Sequence, residues 1–271
     1  MTEPPPPQRV VLITGATSGI GKVCAEHLAG SGWRVFGAGR RANVPVHGAE
    51  MLVMDVDDDA SVRAGVETLL KRAGRLDAVV NNAGFSTRGA AEDFSIENAK
   101  AQFETNFFGA MRVCQAVLPA MRASGGGHIV NMSSLAGLVG LPFAGLYSAS
   151  KFALEGFSES LRHETRPFNI RVVLVEPGDF RTEIGAKRRF YASQDSVYWS
   201  AFEKLMQRRG RDAAASPTPE PIARLVEKIL NSDRPKTRYA IGMRHQLLLI
   251  RAKRFLPQAV FEWALIRAVG L

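Results

Sequence analysis

Between a short apolar run, Val10 to Ile13, and a helical pattern from Gly19 to Ala29 stands the segment Thr14-Gly15-Ala16-Thr17-Ser18-Gly19-Ile20-Gly21. A buried strand, a glycine turn and a helix in direct succession narrow the fold sharply. The chain has to reverse tightly, which suits glycine, and the first helix has to pack closely on the strand it follows. The helix start presents free N–H groups and the positive end of its dipole, a setting suited to phosphate. A glycine cluster alone is weak evidence. Its place between a first strand and a first helix makes it a dinucleotide-binding candidate.

The rest of the chain repeats this alternation. Strands are expected at Trp33–Ala38, Met51–Met54, Leu76–Val80, His128–Met132, Ile170–Val175 and Thr237–Ile241. Helices are expected over Ala60–Arg72, Ile96–Arg122, Tyr147–Thr165 and Pro221–Leu230, the third ending before Pro167. Alternating strands and helices predict an α/β domain with a doubly wound, parallel, Rossmann-like sheet of about seven strands and helices on both faces. Ligands of such sheets bind beyond the carboxyl ends of the strands. One domain is expected, over residues 9–243. A proline-rich disordered lead at 1–8 precedes it, and an amphipathic extension follows at 244–271.

Composition removes other classes. With 271 residues, 46% hydrophobic and 23% charged, the chain can bury a large core. Cys24 and Cys114 lie in apolar helical stretches and read as core residues, not as a disulfide framework. No Cys/His cluster has metal-ligand spacing, so no metal is expected. The first eight residues lack the pattern of a signal peptide, and no apolar run is long enough to span a bilayer. A cytoplasmic protein is the expectation. The net charge is +9, but the charge is scattered and no basic motif with aromatic interleaving matches a known nucleic-acid module, so no nucleic-acid partner is expected.

The spacing of the glycine turn resembles the T-G-x-x-x-G-I-G signature of the short-chain dehydrogenase/reductase superfamily. Several later segments carry the same resemblance. Asn81-Asn82-Ala83-Gly84 matches the N-N-A-G motif. "VNMSSLAG" and "YSASKFALEGFSESL" match the serine and Y-x-x-x-K region. Pro177-Gly178 and Thr182 match the P-G motif and its downstream threonine. The resemblance implies sheet order 3-2-1-4-5-6-7, hydride transfer between a nicotinamide dinucleotide and a carbonyl or alcohol, and a homodimer or homotetramer built on the two long helices. It implies that the cofactor is held by Gly15, Thr17, Ser18, Gly19, Ile20, Gly21, Asp55, Val56, Asn82, Ala83, Gly84, Pro177, Gly178 and Thr182, together with Tyr147 and Lys151. Read without it, Asp55 could be a strand-end cap and Thr182 a helix N-cap.

The residues themselves speak to the chemistry. Tyr147 and Lys151 stand four apart, so they share a helix face. A nearby ammonium favours the phenolate of a tyrosine, whose ordinary pKa is ~10, and brings it towards general acid/base work. The resemblance makes Tyr147 the acid/base, Lys151 its partner, Ser134 the residue that bonds the reacting oxygen, and Asn106 the support of a proton relay. Ser133 competes with Ser134, and spacing favours Ser134. After the second strand, where an NAD site would place an acid on the ribose, the chain has Arg40 and Arg41. A guanidinium can grip a 2′-phosphate in two places, so NADP(H) is favoured over NAD(H).

The resemblance implies a lid over the substrate at 180–215, where aromatics among basic residues suggest an apolar substrate or pack a small core of the lid itself. Ketosteroids, retinoids and long-chain 3-keto compounds fit that expectation. The alternative class is a non-catalytic nicotinamide sensor or scaffold. The tail from Arg244 is amphipathic at helical spacing, and three roles compete for it. Cover of the cleft and a subunit contact rank ahead of contact with an anionic membrane.

Overall fold

The protein is described by a computed structural model over residues 8–41, 44–181 and 189–271, with only the backbone described at 211–215. Seven strands make one parallel sheet: β1 (Val10–Thr14), β2 (Arg34–Gly39), β3 (Ala49–Val53), β4 (Ala78–Asn81), β5 (Gly127–Met132), β6 (Ile170–Pro177) and β7 (Arg238–Ile241). Their order is 3-2-1-4-5-6-7, as the resemblance implied.

A parallel sheet of this kind is covered on both faces, so its central strands are apolar throughout. The alternation along each strand divides the core in two. Val10 and Leu12 of β1 face a layer formed by α2 (Asp59–Ala73), α4 (Gly109–Ala123) and α5 (Gly145–Thr165). Val11 and Ile13 face α1 (Gly19–Gly30) and α7 (Glu220–Leu230). β6 repeats the division, with Val172 on the first side and Val173 and Val175 on the second. Cys24 and Cys114 sit one in each layer, and burial pushes both thiols up to about 12, which keeps them protonated and inert.

Four expectations change. The helix expected over Ile96–Arg122 is continuous but not regular: α3 (Ile96–Phe103) passes into α4 through one wide turn, Glu104–Phe108, in which the Gly109 amide reaches back to the Glu104 carbonyl. One extra residue in a turn leaves too small a mark on an apolar pattern to be read from sequence. α5 starts at Gly145, which places Tyr147 inside its first turn. A short parallel ribbon pairs Thr87–Arg88 with Arg189–Phe190, which no local pattern announced. Gln8 was assigned to the disordered lead, yet its Nε2 donates to the Gly32 carbonyl at 3.0 Å. Residues 1–7 and Thr182, with Lys187 and Arg188, lie outside the described residues.

Beyond the sheet, α6 (Trp199–Ala215) occupies the expected lid. The tail forms two helices, α8 (Arg244–Ala252) and α9 (Gln258–Val269). No helix among the described residues is long and apolar enough to cross a membrane.

Candidate active site

The glycine turn is packed too tightly for side chains. Gly15 has φ +65°, and a Cβ there would lie 2.9 Å from the Ala83 Cα. A Cβ on Gly21 would lie 2.5 Å from the Gly15 carbonyl oxygen and would strike the Asn82 amide. Thr14 and Asn82 tie the turn to the end of β4. The Thr14 hydroxyl accepts from the Asn82 and Ala83 amides at 3.0 Å, and Asn82 Nδ2 donates to the Thr14 carbonyl at 3.0 Å. Ser18 and Gly19 open α1, whose N-terminal amides face the same end of the sheet. Thr17 packs on Gly39, so Arg40 and Arg41, both exposed, follow directly beside the turn. A bare backbone cradle, a helix N-terminus and adjacent guanidinium groups fit a dinucleotide phosphate. Asp55 follows β3, and its carboxylate accepts from the Asp57 amide at 3.2 Å. The Val56 side chain is buried against Gly109.

The end of β5 and the start of α5 bring Ser134, Tyr147 and Lys151 to one cavity of about 270 Å³, which Asn106 does not line. Ser133 and Ser134 continue β5 and so point in opposite directions. The Ser133 hydroxyl lies beside Glu155, away from the Ser134 hydroxyl, which donates to the Pro177 carbonyl at 3.3 Å and accepts from the Ala136 amide at 3.1 Å. Lys151 is buried, and its Nζ donates to the Met132 carbonyl at 2.7 Å. The same Nζ lies 6.0 Å from the centre of the Tyr147 ring, and the Arg88 guanidinium carbon lies 5.5 Å from that centre. Burial lowers Lys151 to about 8, and the Glu155 carboxylate opposes that shift.

Asn106 stands in the wide turn between α3 and α4. Its Oδ1 accepts from the Phe85 amide, and its Nδ2 donates to the Phe85 carbonyl at 3.0 Å and to Ser150 Oγ at 3.2 Å. Ser150 precedes Lys151, so Asn106 joins the loop after β4 to the helix that carries Tyr147. Gln102, four residues earlier, accepts from the Thr87 amide and donates to the Phe85 carbonyl. Wide turns of this kind are frequent at functional sites because they re-aim one side chain.

Two further features shape the site, and the first is the cleft cover, one of the roles expected for the tail. Leu249 and Ile250 of α8 and Leu265 and Val269 of α9 line the cavity, so the tail roofs it. The roof is clasped by Gln246, which accepts from the Asp179 amide at 3.3 Å and donates to Asp179 Oδ2 at 2.8 Å. A Cβ on Gly178 would strike the Gln246 Oε1, so this glycine also makes room for the tail. The second feature is an ionic cluster behind Lys151, in which two buried carboxylates meet a half-buried arginine. Arg238 of β7 pairs with Glu155 at 2.5 Å and with Glu176 at 2.9 Å. The spacing of Glu155, four after Lys151, was a signal available in the sequence. Arg238 was not, being far along the chain.

Burial raises Glu155 to about 7, with Glu176 adding to the shift and the Ser133 hydroxyl and Arg238 opposing it. The ordinary value is 4.5, so between about pH 4.5 and 7 the folded state holds a proton that the unfolded chain has released. The contribution of this group is therefore greatest below that window and is lost as pH rises through it. Glu155→Gln is expected to gain stability relative to wild type between about pH 5 and about pH 7.5 in urea unfolding. A difference that does not change with pH would contradict this.

Residues 9–191 match the profile of the short chain dehydrogenase family. The chain is also 38% identical to the 3-ketodihydrosphingosine reductase of Bacteroides thetaiotaomicron, over 95% of this chain and 96% of that one. The chain belongs to the short-chain dehydrogenase/reductase family. Among solved members, one from Burkholderia phymatum in complex with NAD has TM-score 0.78 at 24% identity, over 91% of this chain and 93% of that one. A metagenomic short-chain oxidoreductase in complex with NADP has TM-score 0.69 at 26% identity, over 86% and 96%. This short-chain dehydrogenase/reductase is an oxidoreductase with a nicotinamide cofactor. Among the described residues, no group of His, Cys, Asp and Glu could hold a metal ion.

Proposed function

We propose that the protein is an NADP(H)-dependent reductase of a long-chain, lipid-like ketone. The observation that carries this reading is the cavity itself. It is lined by Ser134, Tyr147 and Lys151 and also by the apolar side chains of Leu141, Leu205, Leu249 and Leu265. The first group suits a carbonyl and the second a hydrocarbon chain. The similarity to a 3-ketodihydrosphingosine reductase points to the same substrate class.

The cofactor, when bound, supplies the hydride. The glycine turn, Asn82, Ala83, Gly84 and the Pro177-Gly178 segment hold it, and Arg40 and Arg41 meet the 2′-phosphate. Tyr147 delivers a proton to the carbonyl oxygen, and Ser134 donates a hydrogen bond to that oxygen. Lys151 holds the ribose side and supplies positive charge beside Tyr147. Asn106 keeps α5 and the loop after β4 in register. The tail roof excludes water from the reacting atoms.

NADPH oxidation with a series of 3-keto compounds tests the reading. Each methylene that packs on the apolar side chains of the cavity is expected to raise kcat/KM about fourfold, from ~0.8 kcal/mol per buried CH₂. 3-Ketodihydrosphingosine is expected among the good substrates. NADPH is expected to bind at least about tenfold more tightly than NADH, and Arg40→Asp is expected to remove that preference. Binding of NADPH without turnover of any ketone would move the reading to a nicotinamide sensor.

A further inference from the structure

The last helix is apolar on two sides. Phe261, Leu265 and Val269 turn inward, against Val139 and the cavity. Val260, Trp263 and Ile266 follow one another at helical spacing and are exposed, Trp263 by 60%. A helix that is apolar all round is normally buried. Here one apolar side meets water. The corner between α8 and α9 adds Phe255, exposed by 84%, beside exposed Leu256 and Pro257.

The charge around this surface is predominantly positive. From Arg244 to Leu271 the chain has five Lys and Arg and one acid, Glu262. Arg244, Arg251, Arg254 and Arg267 are exposed, and the Arg267 guanidinium lies over the Trp263 ring at 5.1 Å. A two-fold contact between two copies would set this cationic surface against itself, which is unfavourable. Apolar and aromatic residues ringed by arginine instead suit an interface of acyl chains and anionic headgroups. Tryptophan is favoured at that depth because its ring is apolar and its N–H is polar.

We propose that the α8–α9 corner docks on an anionic lipid bilayer. Phe255, Leu256 and Trp263 enter the boundary between headgroups and acyl chains, while Arg251, Arg254 and Arg267 meet the phosphates. The opposite side of the same helices roofs the cavity. Docking therefore places the roof against the bilayer, and an apolar ketone can pass between them with little exposure to water. That last consequence rests on the lipid-ketone reading, whereas the docking surface does not.

Co-sedimentation of the full chain with vesicles tests the proposal. Binding is expected to vesicles containing phosphatidylglycerol, weak binding to pure phosphatidylcholine, and a loss at high salt. Phe255→Ser with Trp263→Ser is expected to lower the partition coefficient at least about tenfold. Arg251→Gln with Arg254→Gln is expected to lower it about 25-fold. Both variants change exposed residues, and unchanged NADPH binding checks their fold. Failure of the wild type to bind phosphatidylglycerol vesicles would overturn the proposal, as would variants that bind like wild type. It would equally fall if the wild type were a dimer that the Phe255/Trp263 variant splits without any vesicle binding. Because the readout is vesicle binding, absence of ketone turnover overturns only the substrate reading.

Discussion

Tyr147→Phe is expected to lower ketone turnover by about 10²–10⁴ while leaving NADPH affinity and the thermal midpoint close to wild type. The substitution removes one hydroxyl and keeps the ring. The ring contacts with Lys151 at 6.0 Å and Arg88 at 5.5 Å therefore persist. The cofactor cradle is built from other elements, chiefly the turn after β1 and the end of β4. On the proposed mechanism the hydroxyl is the proton donor to the carbonyl oxygen, and neither Ser134 nor Lys151 replaces it. The Ser134 hydroxyl, which on this mechanism turns from the Pro177 carbonyl to the substrate oxygen, is too weak an acid to give up its proton, and the Lys151 ammonium is held to the Met132 carbonyl. A variant that turns over ketone at near wild-type rate would sink the assignment. A variant that loses NADPH binding as well would show that the side chain has a structural role first.

The second large effect is expected from Gly21→Ala. The added methyl would meet the Gly15 carbonyl oxygen at 2.5 Å, which is backbone, and the Asn82 side-chain amide, which hydrogen bonds hold to the Thr14 and Gly15 carbonyls. Either the first turn of α1 moves away from β1, or the turn opens and loses its link to Asn82. Overpacking of this kind costs about 1–3 kcal/mol, which in a chain of this size lowers the thermal midpoint by roughly 2–10 °C. The effect on the cofactor is larger than the effect on stability. A phosphate that relies on backbone N–H groups loses several aligned donors at once when the helix start shifts. NADPH affinity is expected to fall at least about 100-fold, from the loss of two or more charge-assisted hydrogen bonds at ~1.5–3 kcal/mol each. Differential scanning calorimetry and a fluorescence titration measure the two effects separately. Wild-type affinity in the variant would show that the cradle tolerates a side chain and that the proposed phosphate site is misplaced.

Much of this protein was readable in sequence because the deciding interactions are local. Val10 to Ile13 had to be a buried strand, since four consecutive apolar residues followed by glycine leave little else. Tyr147 and Lys151 had to share a face of one helix, since residues four apart do. The glycine spacing and the Asn82-Ala83-Gly84 and Pro177-Gly178 motifs each lie within a few residues, and together they pointed to the family. What the tertiary structure decided depends on residues far apart in the chain. It turned Ser133 towards Glu155 and Ser134 towards Pro177, because β5 lies beside α5 and β6. It placed the half-buried Arg238 against Glu155 and Glu176 across β6 and β7, which buries two carboxylates that look like ordinary surface residues in sequence. It inserted one residue before α4 and so aimed Asn106 at Phe85 and Ser150. Above all, it folded the tail over the cavity through Gln246 and Asp179, leaving the inner side of α9 against the cavity and Trp263 in water. An amphipathic pattern says that a helix has an apolar side. Only packing says what that side meets, because burial is a property of the neighbours that long-range contacts bring.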